Sequence, residues 1–202
     1  MKRVNRFCAS LLLVAGSHLL MAQSAMVAHP QSKPDTGVLD AQREKRALQV
    51  LLKSERDRIL SAAKAMPADK YGFAPTEGEF KGVRTFGRQV KHLAATNYML
   101  AAAALGEQPP ADAGDETGPE AIRTKEEILA YLDGSFVRLG EAIDAIGNPE
   151  VAVKSSPISP LPAAQTTRLA LLVEALIHAF DHYGQIVEYL RMNGVVPPAS
   201  LP

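Results

Sequence analysis

Near its C-terminal end the chain reads "HAFDHYGQ" over residues 178–185, which sets His178 and His182 four positions apart. On a helix that spacing stacks both imidazoles on one face, within ~6 Å of each other, so that both can reach one metal ion. Taken alone the pair is weak. Five histidines in 202 residues sometimes fall at this spacing by chance, and a pair of solvated histidines is the ordinary alternative. Two features favour the ion. The pair borders an apolar stripe, flanked by Leu176, Phe180 and Tyr183, where burial opposes protonation and the rings need a shared partner. His18 and His29 stand in the N-terminal stretch, so His92, His178 and His182 are the histidines left for a folded domain. His92 sits mid-helix in "RQVKHLAATN", beside Val90 and Leu93. Three neutral imidazoles converging inside a helical scaffold leave coordination positions open for water or substrate, the arrangement of catalytic rather than structural ions.

Other chemistry is weaker or excluded. Glu174 lies one turn before His178 on the same face. It is a candidate fourth ligand or base, with a solvated glutamate the slightly favoured reading. Asp181 points ~100° away from His182; it is the second, weaker catalytic candidate, with a surface group or one that supports the ligands the favoured reading. Asn97, Tyr98, Asp181 and Gln185 are candidates to stand behind the ligands and orient an imidazole N–H or a substrate. The zinc-protease motif needs glutamate directly after the first histidine, where this chain has Ala179. A ferritin-type di-iron site needs E-x-x-H, which is absent. The only cysteine, Cys8, lies in the N-terminal stretch, so a thiolate ligand or nucleophile is not expected. Three imidazoles suit several divalent ions, with zinc, nickel or iron the expected cofactors.

Four long segments with helical periodicity must position these residues. They span roughly 38–65, 85–105, 124–146 and 166–192. In the first, Leu48, Leu52, Ile59 and Ala63 form the apolar stripe. The second closes at Gly106. The third opens on a Thr124/Glu127 capping box and stops at Gly147 and Asn148. The fourth carries Leu169, Leu172, Val173, Leu176, Phe180, Tyr183, Val187 and Leu190 as a broad apolar face, then meets Gly194, Pro197 and Pro198. No alternating strand pattern or internal repeat is present. The expected fold is all-α, a four-helix bundle.

The first 25 residues read as a cleavable secretory leader. Lys2, Arg3 and Arg6 precede a mostly apolar run from Phe7 to Met21, and small residues follow at Ala22, Ser24 and Ala25. Residues 26–35 read as a flexible tail, and 36–200 as the bundle domain. The expected location is periplasmic or secreted, with no stable membrane span. Whole-chain charge balances at 22 basic and 22 acidic residues; without the leader's three basic residues, 19 face 22. Nothing in that balance attracts a phosphate backbone, so nucleic acid is not an expected partner.

With "TFGRQVKHLAATNYML" and "HAFDHYGQIVEYLRMNGVVPPAS" placed on the second and fourth helices, the chain resembles the DinB superfamily of helical-bundle metalloenzymes. The matching pattern is a mid-helix histidine, then H-x-x-x-H with a Gly-Gln pair, then "YLRxxGxxPP". The resemblance runs over about 36–200. It implies an up-down-down-up bundle with a water-filled open side, often a homodimer, holding a divalent ion on His92, His178 and His182. Members of that family include transferases and isomerases dependent on bacillithiol, mycothiol or glutathione. The expected function is therefore an exported, metal-dependent hydrolase or group transferase acting on a small-molecule substrate. Such an ion acts as a Lewis acid, lowering the pKa of a bound water or binding a substrate thiol or oxygen. The substrate is expected to be set by loops 66–84 and 147–165. The alternative is a non-catalytic exported bundle that binds metal or a small ligand.

Overall fold

The computed structural model describes residues 36–110, 113 and 115–201. The leader and tail expected over residues 1–35 lie outside them. Four helices carry the fold: α1 (Thr36–Ala65), α2 (Phe86–Leu105), α3 (Lys125–Ala145) and α4 (Arg168–Met192). Their ends fall within about two residues of the sequence expectation because local chemistry stops them. The Thr85 and Thr167 side chains accept the Arg88 and Ala170 amides at the starts of α2 and α4. At α3 the Thr124 hydroxyl accepts the Glu127 amide, while the Glu127 carboxylate accepts the Thr124 amide in return. Gly106 ends α2 at φ 74°, a left-handed conformation that a side chain resists.

Helix directions follow from which residues meet. Gly87 lies against Ile128, Asn97 bonds Ser135, and Glu107 pairs with Arg138, so α2 and α3 run parallel. Phe86 packs near Tyr189 and His92 near His178, so α4 runs antiparallel to α2. Gln49 reaches Gly140 and Lys125 reaches Lys64, so α1 opposes α3. The bundle is therefore up-down-down-up. Two consecutive parallel helices need a connection that travels the whole length of the bundle, about 30 Å for a helix of this size. The connection between α2 and α3, described over residues 106–110, 113 and 115–124, makes that crossover.

The core is mostly aliphatic, with Phe86 and Phe136 fully buried within it. Leu48, Leu52, Ile59 and Ala63 of α1 are buried, as the stripe predicts. Ala94, Ala95 and Ala101 of α2 and Ala175 and Ala179 of α4 are fully buried. One expectation fails in α4. Val173 and Phe180 are 37% and 56% exposed. The buried face is centred instead on Leu172, Ala175, Ala179, Ile186 and Leu190. At ~100° per residue this places Phe180 on one flank of the core and His178 on the other. Residues 146–167 are pinned by an antiparallel bridge between Ala152 and Thr167. Among the described residues, no helix is long and apolar enough to cross a membrane.

Candidate metal centre

His92 lies mid-way along α2, and His178 and His182 sit one turn apart on α4. Because the two helices are antiparallel neighbours, the three rings converge. His178 Nε2 is 3.3 Å from His92 Nε2 and 2.9 Å from His182 Nε2. Ligand atoms from all three lie within 4.8 Å of one another, and these three residues are the one such group among those described. Tetrahedral zinc bonds of ~2.0–2.1 Å separate ligand nitrogens by about 3.3 Å. The donor set and its spacing therefore fit a divalent ion.

Burial prepares the rings to act as ligands. His92 and His182 are buried and His178 is half-buried. Desolvation, followed by the neighbouring rings and Arg84, lowers the His178 pKa to about 3. Desolvation, followed by the His92 ring and Arg84, lowers His182 to about 4, with Asp181 and a hydrogen bond to Gln185 opposing. Burial also lowers His92, partly offset by its backbone hydrogen bond. All three are neutral at pH 7, the form that binds metal. His92 Nδ1 lies 2.6 Å from the Glu116 carbonyl oxygen. A carbonyl only accepts, so Nδ1 carries the proton and Nε2 presents its lone pair to the other rings.

A cleft of about 400 Å³ opens onto the triad. Arg84, Thr96, Glu116, Glu174 and Asp181 supply its polar wall, and Ile158, Pro160 and Ile177 its apolar wall. Loop 147–165 contributes as expected, whereas loop 66–84 contributes Arg84. Glu116 comes from the crossover, which the sequence reading did not consider.

The other candidates divide. Glu174 lines the cleft, but its carboxylate accepts from Ser159 Oγ at 2.6 Å and is no part of the ligand group. Burial pushes its carboxyl pKa up. Asp181 is exposed and accepts from Gln185 at 2.8 Å. Asn97 and Tyr98 face α3 instead of the triad, Asn97 donating to Ser135 and Tyr98 stacking near Tyr131. Gln185 does reach the site, through a residue the sequence reading missed. Gln89 is buried, with Nε2 2.5 Å from both His182 Nδ1 and Gln185 Oε1. Its signal was available, since Gln89 and Thr96 stand three before and four after His92 on one helical face.

A model of the DinB superfamily matches residues 51–186, a stretch that holds all three histidines. No curated protein matches the chain.

Proposed function

The chain belongs to the DinB superfamily, and from that membership and the convergence of three neutral imidazoles we propose that it is a divalent-metal-dependent hydrolase or group transferase. His92, His178 and His182 hold the ion, which is zinc, nickel or iron. When bound, the ion supplies Lewis acidity at the head of the cleft. The chain's own groups do the rest. Ile158, Pro160 and Ile177 give a small substrate an apolar wall. The Thr96 hydroxyl, buried without a hydrogen-bond partner, offers it a polar contact. Glu174 and Asp181 are the proton carriers proposed for the cleft. Glu174 is favoured, because burial moves its pKa towards the range useful to a general acid or base.

The proposal includes export. Residues 1–25 act as a cleaved leader, which puts the bundle in the periplasm or outside the cell. It also includes the homodimer, for which exposed Val173, Ile177 and Phe180 on α4 supply an apolar face. Light scattering on the purified protein tests the dimer, and N-terminal sequencing of the exported product tests the leader.

The observation that carries the reading is the meeting of three Nε2 atoms from two helices. The direct experiment measures metal in protein purified without a histidine tag, for the wild type and for His92→Ala. About one ion per chain, lost in the variant, is expected. Absence of metal from the wild type sinks the proposal. Turnover of generic ester or thiol substrates then separates an enzyme from the alternative, an exported protein that binds metal or ligand without chemistry.

A further inference from the structure

We propose that a second cleft, walled by Arg88, Lys91 and Arg123, binds the phosphate monoester of a small organic molecule.

This cleft has a volume of about 760 Å³, within the ~300–1,000 Å³ of small-molecule sites. The turn after α1 gives it Tyr71, the start of α2 gives Arg88 and Lys91, and the crossover gives Glu120, Ile122 and Arg123. No histidine of the triad lines it. Gly87, Arg88 and Lys91 stand about a third of a turn round α2 from Gln89, His92 and Thr96. Tyr71, Ile122 and the buried Ile128 form an apolar floor.

Charge decides what the cleft takes. Arg88 and Arg123 lie close enough to repel the Lys91 ammonium, and Glu120 close enough to attract it. Among the described residues, none of these three cations has a carboxylate in ion-pair contact. Arg84, on the same cleft, already pairs with Glu116 at 3.3 Å. Three cations against Glu120 leave two positive charges in excess. A phosphate monoester carries the opposite charge above its second pKa of ~6.

The cluster is held together by the main chain of the crossover. Lys91 Nζ donates to the Pro119 and Ile122 carbonyls, and Arg123 Nε to that of Glu120. The outer nitrogens of Arg123 and the Arg88 guanidinium remain for a ligand. Such forks match phosphate oxygens two at a time. The start of α2 adds no donor of its own. Its Phe86, Gly87 and Arg88 amides are taken by the Phe73 and Tyr71 carbonyls and Thr85 Oγ. Recognition therefore falls to side chains.

The probe is phenyl phosphate, titrated by calorimetry at pH 8 into the intact chain stripped of metal, so that no ion at the triad takes the phosphate. One site per chain is expected. Arg88→Gln and Arg123→Gln, both at exposed positions, are each expected to weaken binding about tenfold, the loss of a charge-assisted hydrogen bond. Arg88→Lys keeps the charge and is expected to recover most of that loss. Glu120→Gln is expected to tighten binding about threefold. Lys53→Gln removes an exposed cation of α1 and is expected to change nothing. Equal weakening by Lys53→Gln and the arginine variants means diffuse attraction and overturns the site. Absence of phenyl phosphate binding overturns it too, as does binding lost in His178→Ala but kept in both arginine variants. Capture by phosphatidylcholine vesicles containing phosphatidic acid, with no binding of phenyl phosphate, assigns the cations to a membrane surface and overturns the small-molecule site. Each of these outcomes leaves the metal reading of the triad standing.

Discussion

At the scale of single residues, the site turns on keeping imidazoles uncharged. A histidine in an unfolded chain titrates near 6.5, whereas His178 and His182 in the fold titrate at about 3 and about 4. Below pH 6.5 the unfolded chain binds protons that the folded chain refuses. Stability of the metal-free protein is therefore whole above pH 6.5. It falls as pH drops towards 4 and levels off once the folded rings also protonate. Urea midpoints of stripped protein are expected to agree at pH 8 and 7 and to be clearly lower at pH 5; equal midpoints at 7 and 5 contradict the burial argument. Glu174 shifts the opposite way, its carboxyl raised by desolvation. Glu174→Gln removes a poorly solvated charge, so metal content and stability are expected to hold. Turnover, once a substrate is found, is expected to fall by about 10²-fold if Glu174 carries the proton. Retained turnover would return Glu174 to the solvated-glutamate reading.

Helices decide where those residues meet. Ala175 and Ala179 are fully buried in α4 beside the histidines, so α2 and α4 can lie close. Ala179→Leu forces extra volume into a filled interior and is expected to cost about 1–3 kcal/mol. It should also loosen metal binding by spreading the two ligand-bearing helices, as metal titration would show. Thr124→Ala strikes a helix that bears no ligand. Loss of its cap is expected to cost about 1 kcal/mol in a denaturation curve and to leave metal affinity unchanged. Much of this level was legible beforehand. Leu48, Leu52, Ile59 and Ala63 fell at core spacing, and Thr124 with Glu127 announced a helix start. The breadth of the α4 face misled, because Val173 and Phe180 are apolar by type yet exposed by angle. Periodicity gives the direction of a stripe better than its edges. Gln89 and Thr96 could have been found by extending the His92 face by one turn each way.

Across the whole molecule, the crossover between the parallel helices was the least legible part. "EQPPADAGDETGPE" reads as a loop, and nothing in its side chains says that a carbonyl within it meets a histidine. Yet the up-down-down-up order requires a long connection here. The Lys91 ammonium fastens it to α2 by donating to the Pro119 and Ile122 carbonyls, and Gly118 packs against the Lys91 backbone. His92 was visible from sequence; the group that orients it came only with topology. Shortening Lys91 to alanine is expected to free the crossover, seen as faster amide exchange around residue 118, and to weaken metal binding with every ligand still in place.

The hydrogen bond to His92 uses the main chain at position 116, and every amino acid has that carbonyl. Replacing Glu116 therefore keeps the acceptor that orients the imidazole and removes only the carboxylate that pairs with Arg84 at 3.3 Å. An insertion or deletion between residues 107 and 118 is another matter, because it moves the oxygen along α2. The orientation of His92 is therefore sensitive to the length of the connection and indifferent to the side chain at position 116.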